Sequence, residues 1–120
     1  MAVRAIRGAI QLDSDEPEQV IRYTSELVTK MLHANQLHTD ALISITFTAT
    51  PDVTSEFPAL AARGLGLGDV PLLCAVEMDV DGSLPRIIRI MALAEMDVPR
   101  AEVQHVYLRG AVALRLDLAQ

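Results

Sequence analysis

Three charged residues interrupt stretches that are otherwise apolar: Arg7 between Ile6 and Gly8-Ala9-Ile10, Glu77 after Leu72-Leu73-Cys74-Ala75-Val76, and Arg89 inside Ile87-Ile88-Arg89-Ile90-Met91. A charge placed in an apolar strand costs several kcal/mol unless it is paired, hydrated or bound to a ligand, so such positions ask for an explanation. A guanidinium offers a planar fork of donors that suits carboxylates, which keeps a small anionic ligand in view. Two plainer readings stand beside it: each residue lies on an edge or the surface, or two of them form a structural ion pair. Tyr107 has the same ambiguity, since a core tyrosine also finds a partner for its hydroxyl.

Other chemistries find less support. There is no phosphate-binding loop of the Walker type, and Gly64, Gly66 and Gly68 follow a helical stretch where a dinucleotide loop would follow a strand. His33, His38 and His105 are not at metal-ligand spacing, and Cys74 has no CxxC partner, so no metal site and no cofactor are expected. Asp79-Val80-Asp81-Gly82 resembles the opening of a calcium loop, but that loop needs glycine at its sixth position, where Leu84 stands. A turn is the simpler reading.

The elements that must position these residues follow from periodicity. Val3 to Ile10 reads as a strand with Ile6 and Ile10 on one face and Arg7 on the other. Asp15 and Glu18 are spaced as a capping box around Pro17, and Val20, Leu27, Val28, Met31 and Leu32 form the apolar stripe of a long helix ending near Asn35. Glu18, Arg22, Glu26 and Lys30 recur every four residues as its solvated face. Ile43, Ile45 and Phe47 alternate with Ser44, Thr46 and Thr48, a half-buried strand broken by Thr50-Pro51-Asp52. A short helix over Ala59 to Leu65 is introduced by Phe57-Pro58. Leu72 to Val76 and Arg86 to Ala94 are strands separated by the turn Asp81-Gly82-Ser83, and are expected to form a hairpin. Pro99 opens a short helix to about Val103, and Val106 to Arg115 is mixed in character. The fold class is α/β, a mixed α+β sheet with helices on one face, and residues 1–120 are expected to form one domain.

Composition limits the partners. The chain has 120 residues, 51% of them hydrophobic, a proportion slightly above that of ordinary soluble domains. The surplus predicts contacts between copies of the chain. A net charge of -6, with ten basic residues against sixteen acidic, argues against gripping nucleic acid. The basic residues are nine arginines and Lys30, which keeps a small carboxylate ligand in view. A single cysteine, no apolar leader and no apolar run of about 18 residues predict a cytoplasmic protein with no membrane partner.

Read together, several strings resemble the monofunctional chorismate mutases of the trimeric AroH type. They are Ile6-Arg7-Gly8-Ala9, Ala49-Thr50-Pro51-Asp52 with Phe57-Pro58-Ala59, Glu77-Met78-Asp79-Val80, Ile88-Arg89-Ile90-Met91, Asp97-Val98-Pro99, His105-Val106-Tyr107-Leu108 and Leu114-Arg115. Their order and spacing span almost the whole chain. The resemblance implies a subunit of a trimeric pseudo-barrel with a site in each cleft between neighbours. It places Arg7, Glu77, Arg89 and Tyr107 in that site, with Cys74 and the chain from Leu73 through Ala75 and Val76 lining it. Phe57, Ala59 and Arg63 would contribute from the cleft wall, and Leu114 and Arg115 from the terminal segment.

The reaction so implied, the concerted rearrangement of chorismate to prephenate in phenylalanine and tyrosine biosynthesis, needs neither a nucleophile nor a general base. Arg89 would stabilise negative charge growing on the ether oxygen. Arg7 and Tyr107 would hold carboxylate, and Glu77 would accept from the ring hydroxyl. Leu60 stands where the resemblance leads one to expect lysine and Leu73 where it leads one to expect threonine, while the sequence stops at Gln120, short of a mobile tail. Weaker substrate binding is the expected result. Two other readings remain: a trimer of this fold that binds a small carboxylate without catalysis, and an interaction module in which Arg7, Glu77 and Arg89 form an interface ion network.

Overall fold

Alternating side chains give the first, second and fourth strands one apolar face each, and the fold stacks these faces into one surface. The computed structural model describes residues 2–114. The elements are β1 (Ala2–Gln11), α1 (Pro17–Ala34), β2 (Leu42–Ala49), α2 (Ala59–Gly64), β3 (Leu72–Val76), β4 (Ile87–Met96) and β5 (Val106–Leu108), with single 3-10 turns at Thr39–Ala41, Arg100–Glu102 and Arg109–Ala111. The five strands form one sheet in the order β3-β2-β4-β1-β5. β4 is antiparallel to β1 and β2, and the outer pairs β2–β3 and β1–β5 are parallel.

The core lies between one face of this sheet and the two helices. Ile6 and Ile10 of β1, Ile45 and Phe47 of β2, and Ile88 and Ile90 of β4 meet Val20, Tyr23, Leu27, Val28 and Met31 of α1, with Ala59 and Ala62 of α2 at the margin. Gly8 permits the close approach of α1: a Cβ there would collide with Met31 Sδ and crowd Leu27. A smaller cluster of Ala9, Ile87 and Ala111 sits where the terminal segment folds over one end of the opposite face.

Three local expectations change. β3 and β4 do not form a hairpin, because β2 lies between them. The chain between β2 and β3 is long enough to hold α2, and that crossover lays β3 parallel to β2 while burying Ala59, Ala61 and Ala62. Asp15 does not cap α1. The residue before the helix is Glu16, which makes no capping bond, and Asp15 instead accepts from Thr54 N (2.9 Å), Thr54 Oγ1 (3.1 Å) and Ser55 N (3.2 Å). The helix start is tied by Gln19, whose side-chain oxygen accepts from the backbone N–H groups of Asp13 and Ser14. Ile43 leaves the alternation of β2 because a register shift between Leu42 and Ser44 turns it outward.

Candidate active site

The face of the sheet away from the helices carries the charged residues, and the register brings them side by side. Ala75, Thr48, Arg89, Ala9 and Tyr107 are successive partners across β3, β2, β4, β1 and β5, and form one row. Leu73, Thr46, Met91 and Arg7 form the next. Strand parity puts both rows on one face. Ala9, between Arg89 and Tyr107, is buried with Ile87 and Ala111 under the terminal segment.

The two rows border a cleft of about 190 Å³ lined by Arg7, Gly8, Thr46, Thr48, Glu77, Arg89, Ile90, Met91 and Tyr107. Glu77 follows β3 and continues its pairing through a bond from its N–H to Ala49 O (2.8 Å). Its carboxylate accepts from Thr48 Oγ1 and lies 3.3 Å from Arg89 Nε. One edge of the Arg89 guanidinium is thereby anchored, and the side chain remains 46% exposed, so its other donors are accessible to a ligand. The Arg7 guanidinium has no carboxylate partner among the described residues. Two arginines against one glutamate give this cleft a positive balance within a chain of net charge -6. Such a cleft suits a small anion that also carries a hydroxyl.

The remaining expected residues divide. Leu114 joins Glu77 and Arg89 in an adjoining hollow of about 320 Å³. Phe57, Cys74, Ala75 and Val76 line a separate groove of about 410 Å³ at the β3 edge, with the loop that runs from Ala49 to Pro58. Cys74 pairs with Phe47, so its side chain belongs to the helix face and packs on the main core; the side chains that β3 sends to the cleft face are Leu73 and Ala75. Ala59 is buried in the core and Arg63 is exposed on α2; neither lines the cleft within one chain. Arg115 lies outside the described residues. Thr48 was not singled out from the sequence, where it read only as the polar half of an alternating strand. Its signal is cross-strand: it opposes Arg89 and reaches Glu77.

Comparison with known proteins identifies the family. The model of the family described as chorismate mutase type I matches residues 3–118. The chain is 53% identical over 117 residues to the chorismate mutase AroH of Thermus thermophilus, covering 97% of this chain and 96% of that protein. It is 39% identical over 120 residues to the chorismate mutase AroH of Bacillus subtilis strain 168, covering 99% and 94%. A solved chorismate mutase from Clostridium thermocellum superposes with a TM-score of 0.90 at 39% identity, over 91% of this chain and 97% of that one. With a mixed sheet of the same shape and a full-length family match, the chain belongs to the type I chorismate mutases, enzymes of the isomerase class.

Proposed function

We propose that this chorismate mutase accelerates the conversion of chorismate to prephenate by charge placement and conformer selection in the cleft on the open sheet face. The observation that carries the reading is the row that holds Arg89, tied to Glu77, and Tyr107 on either side of Ala9, one row from Arg7. The rearrangement breaks a C–O bond as it forms a C–C bond within one molecule. Negative charge builds on the ether oxygen while the bond breaks, and a guanidinium fixed beside it favours the transition state over the ground state. Arg89 has that role, and its anchorage by Glu77 limits the reorganisation needed at the moment of reaction. Arg7 and Tyr107 bind carboxylate and hold the enolpyruvyl arm over the ring, which removes much of the entropic part of the barrier. Glu77 also accepts from the ring hydroxyl.

The whole chain acts as one catalytic unit, assembled as a homotrimer in the cytoplasm. Exposed apolar side chains support assembly: Phe57, Leu73, Val76 and Met78 are 62 to 81% exposed, and Met91 beside the cleft is 42% exposed. In a trimer the groove with Phe57 and the exposed Arg63 would come from a neighbouring copy to close the cleft.

The test follows the loss of chorismate absorbance in the ultraviolet, with prephenate confirmed by acid conversion to phenylpyruvate. Arg89→Ala should lower kcat about 10³-fold, the scale of a lost donor to a developing oxyanion. Its sedimentation and thermal unfolding should match the parent. Turnover within threefold of the parent would remove Arg89 from the chemistry, and a broken assembly would make it an interface residue.

A further inference from the structure

β5 is the shortest strand and an edge, with backbone pairing to β1 only from Gly8–Val106 to Ile10–Leu108. It nonetheless carries Tyr107. One residue before the pairing begins, the N–H of Arg7 donates to Nδ1 of His105 at 2.9 Å. We propose that His105 is a positioning residue for the reaction: its imidazole extends the β1–β5 ladder by one step and fixes the backbone of Arg7 relative to Tyr107. This rests on the assignment of those two residues to the substrate cleft.

The bond requires a ring nitrogen without a proton, so the neutral ring carries its hydrogen on Nε2. Burial first, and the positive charge of Arg7 second, hold the His105 pKa below its ordinary value of 6.5. Charged and titratable groups on the elements around β5 are Arg4 and Arg7 on β1, Glu18, Arg22, Glu26, Lys30 and His33 on α1, Arg100 and Glu102 in the preceding turn and Arg109 in the following one. Arg7 is the one among them whose charge acts on the ring. Glu26 is taken up by Arg109 at 3.1 Å. Protonation turns Nδ1 from acceptor to donor, facing the Arg7 N–H with another N–H. The ladder then loses its last step, and the two substrate-binding side chains lose their common reference.

The sign follows from the direction of the shift. With the folded pKa below the unfolded one, the unfolded chain binds more protons in the interval between them, so stability starts to fall below 6.5, and the contact itself is lost as pH falls through the lowered folded pKa. A substrate carboxylate ordinarily titrates near about 4, so it is ionised where that interval opens.

His105→Asn tests the idea directly, because Oδ1 of asparagine is an acceptor at the same distance from Cβ as Nδ1 and does not titrate. We expect His105→Ala to lower kcat/KM about tenfold at pH 7.5, as a misplaced binding pair would. His105→Asn should stay within about threefold of the parent at that pH and should lack the parent's fall in kcat/KM below pH 6.5. An unaffected His105→Ala, or a His105→Asn that keeps the parental acid limb, would overturn the proposal; if His105→Ala does not fold, the pH profile of His105→Asn decides. Arg7→Ala assayed alongside separates the failures. An inactive Arg7→Ala with an unaffected His105→Ala removes the role of His105 alone, whereas an active Arg7→Ala removes the site assignment beneath it.

Discussion

On the face under the helices, β1, β2 and β4 present Ile6, Ile10, Ile45, Phe47, Ile88 and Ile90, all 3% exposed or less. On the other face the same strands present Arg7, Thr46, Thr48 and Arg89, and these remain half-buried or exposed. Neighbours in sequence therefore serve opposite ends. One face is saturated by its own chain and supplies stability. The other leaves polar donors, a positive balance and exposed Leu73 and Met91, and is the face to which we assign the chemistry and the contact with a further copy. Because a strand alternates strictly, the two duties are separated by a single residue step, and substitutions one position apart should fall on different observables.

Residues 47 and 48 offer the sharpest separation. Phe47 is fully buried at the centre of the main cluster, and Phe47→Ala should cost about 3–5 kcal/mol of stability through lost burial and a residual cavity. Chemical denaturation measures this, and kcat per folded molecule should hardly change. Thr48→Val keeps the β-branched shape but removes the hydroxyl that donates to Glu77. It should lower kcat/KM about tenfold while shifting stability by less than about 1 kcal/mol. If Phe47→Ala damaged kcat as much as Thr48→Val did, the two faces would not be separable and the active cleft would depend on core packing.

The same contrast explains what could be read from the sequence. The helix-covered face was legible because α1 and strands β1, β2 and β4 carry strong periods in their apolar residues, and Arg7, Glu77 and Arg89 stood out as charges that break an apolar run. Tyr107, by residue type alone, is no different from a core aromatic. What spacing along the chain does not encode is pairing across it. Thr48 and His105 matter through Arg89, Glu77 and the backbone of Arg7, all distant in sequence. The expected β3–β4 hairpin fails for the same reason: an Asp-Gly turn between two strands favours their pairing, but the α2 crossover gives β3 to β2. Leu72 to Val76 is apolar at every position, so no alternation showed that Cys74 faces the core and Leu73 the cleft.

The smallest effect is expected at the sheet edge that belongs to neither face. Asp15 ties the loop carrying Phe57 to the start of α1 through Thr54 and Ser55. Burial pushes its carboxyl pKa up, but the hydrogen bonds from Ser55 and Thr54 outweigh this and hold it below the ordinary 3.8. A depressed carboxyl adds stability that is fully present above that value and is lost as pH falls through the folded pKa. Asp15→Asn should therefore unfold a few degrees below the parent at pH 7, with the difference closing as the pH falls below 3.8 and through the lowered folded pKa. In the kinetics, loosening this loop should raise KM about threefold and leave kcat in place if a neighbour's Phe57 groove closes the cleft, since that contact would bind ground state and transition state alike. An unchanged KM, in a variant shown by its thermal shift to have lost the tie, would detach the groove from the active site and leave the open face to bind substrate alone.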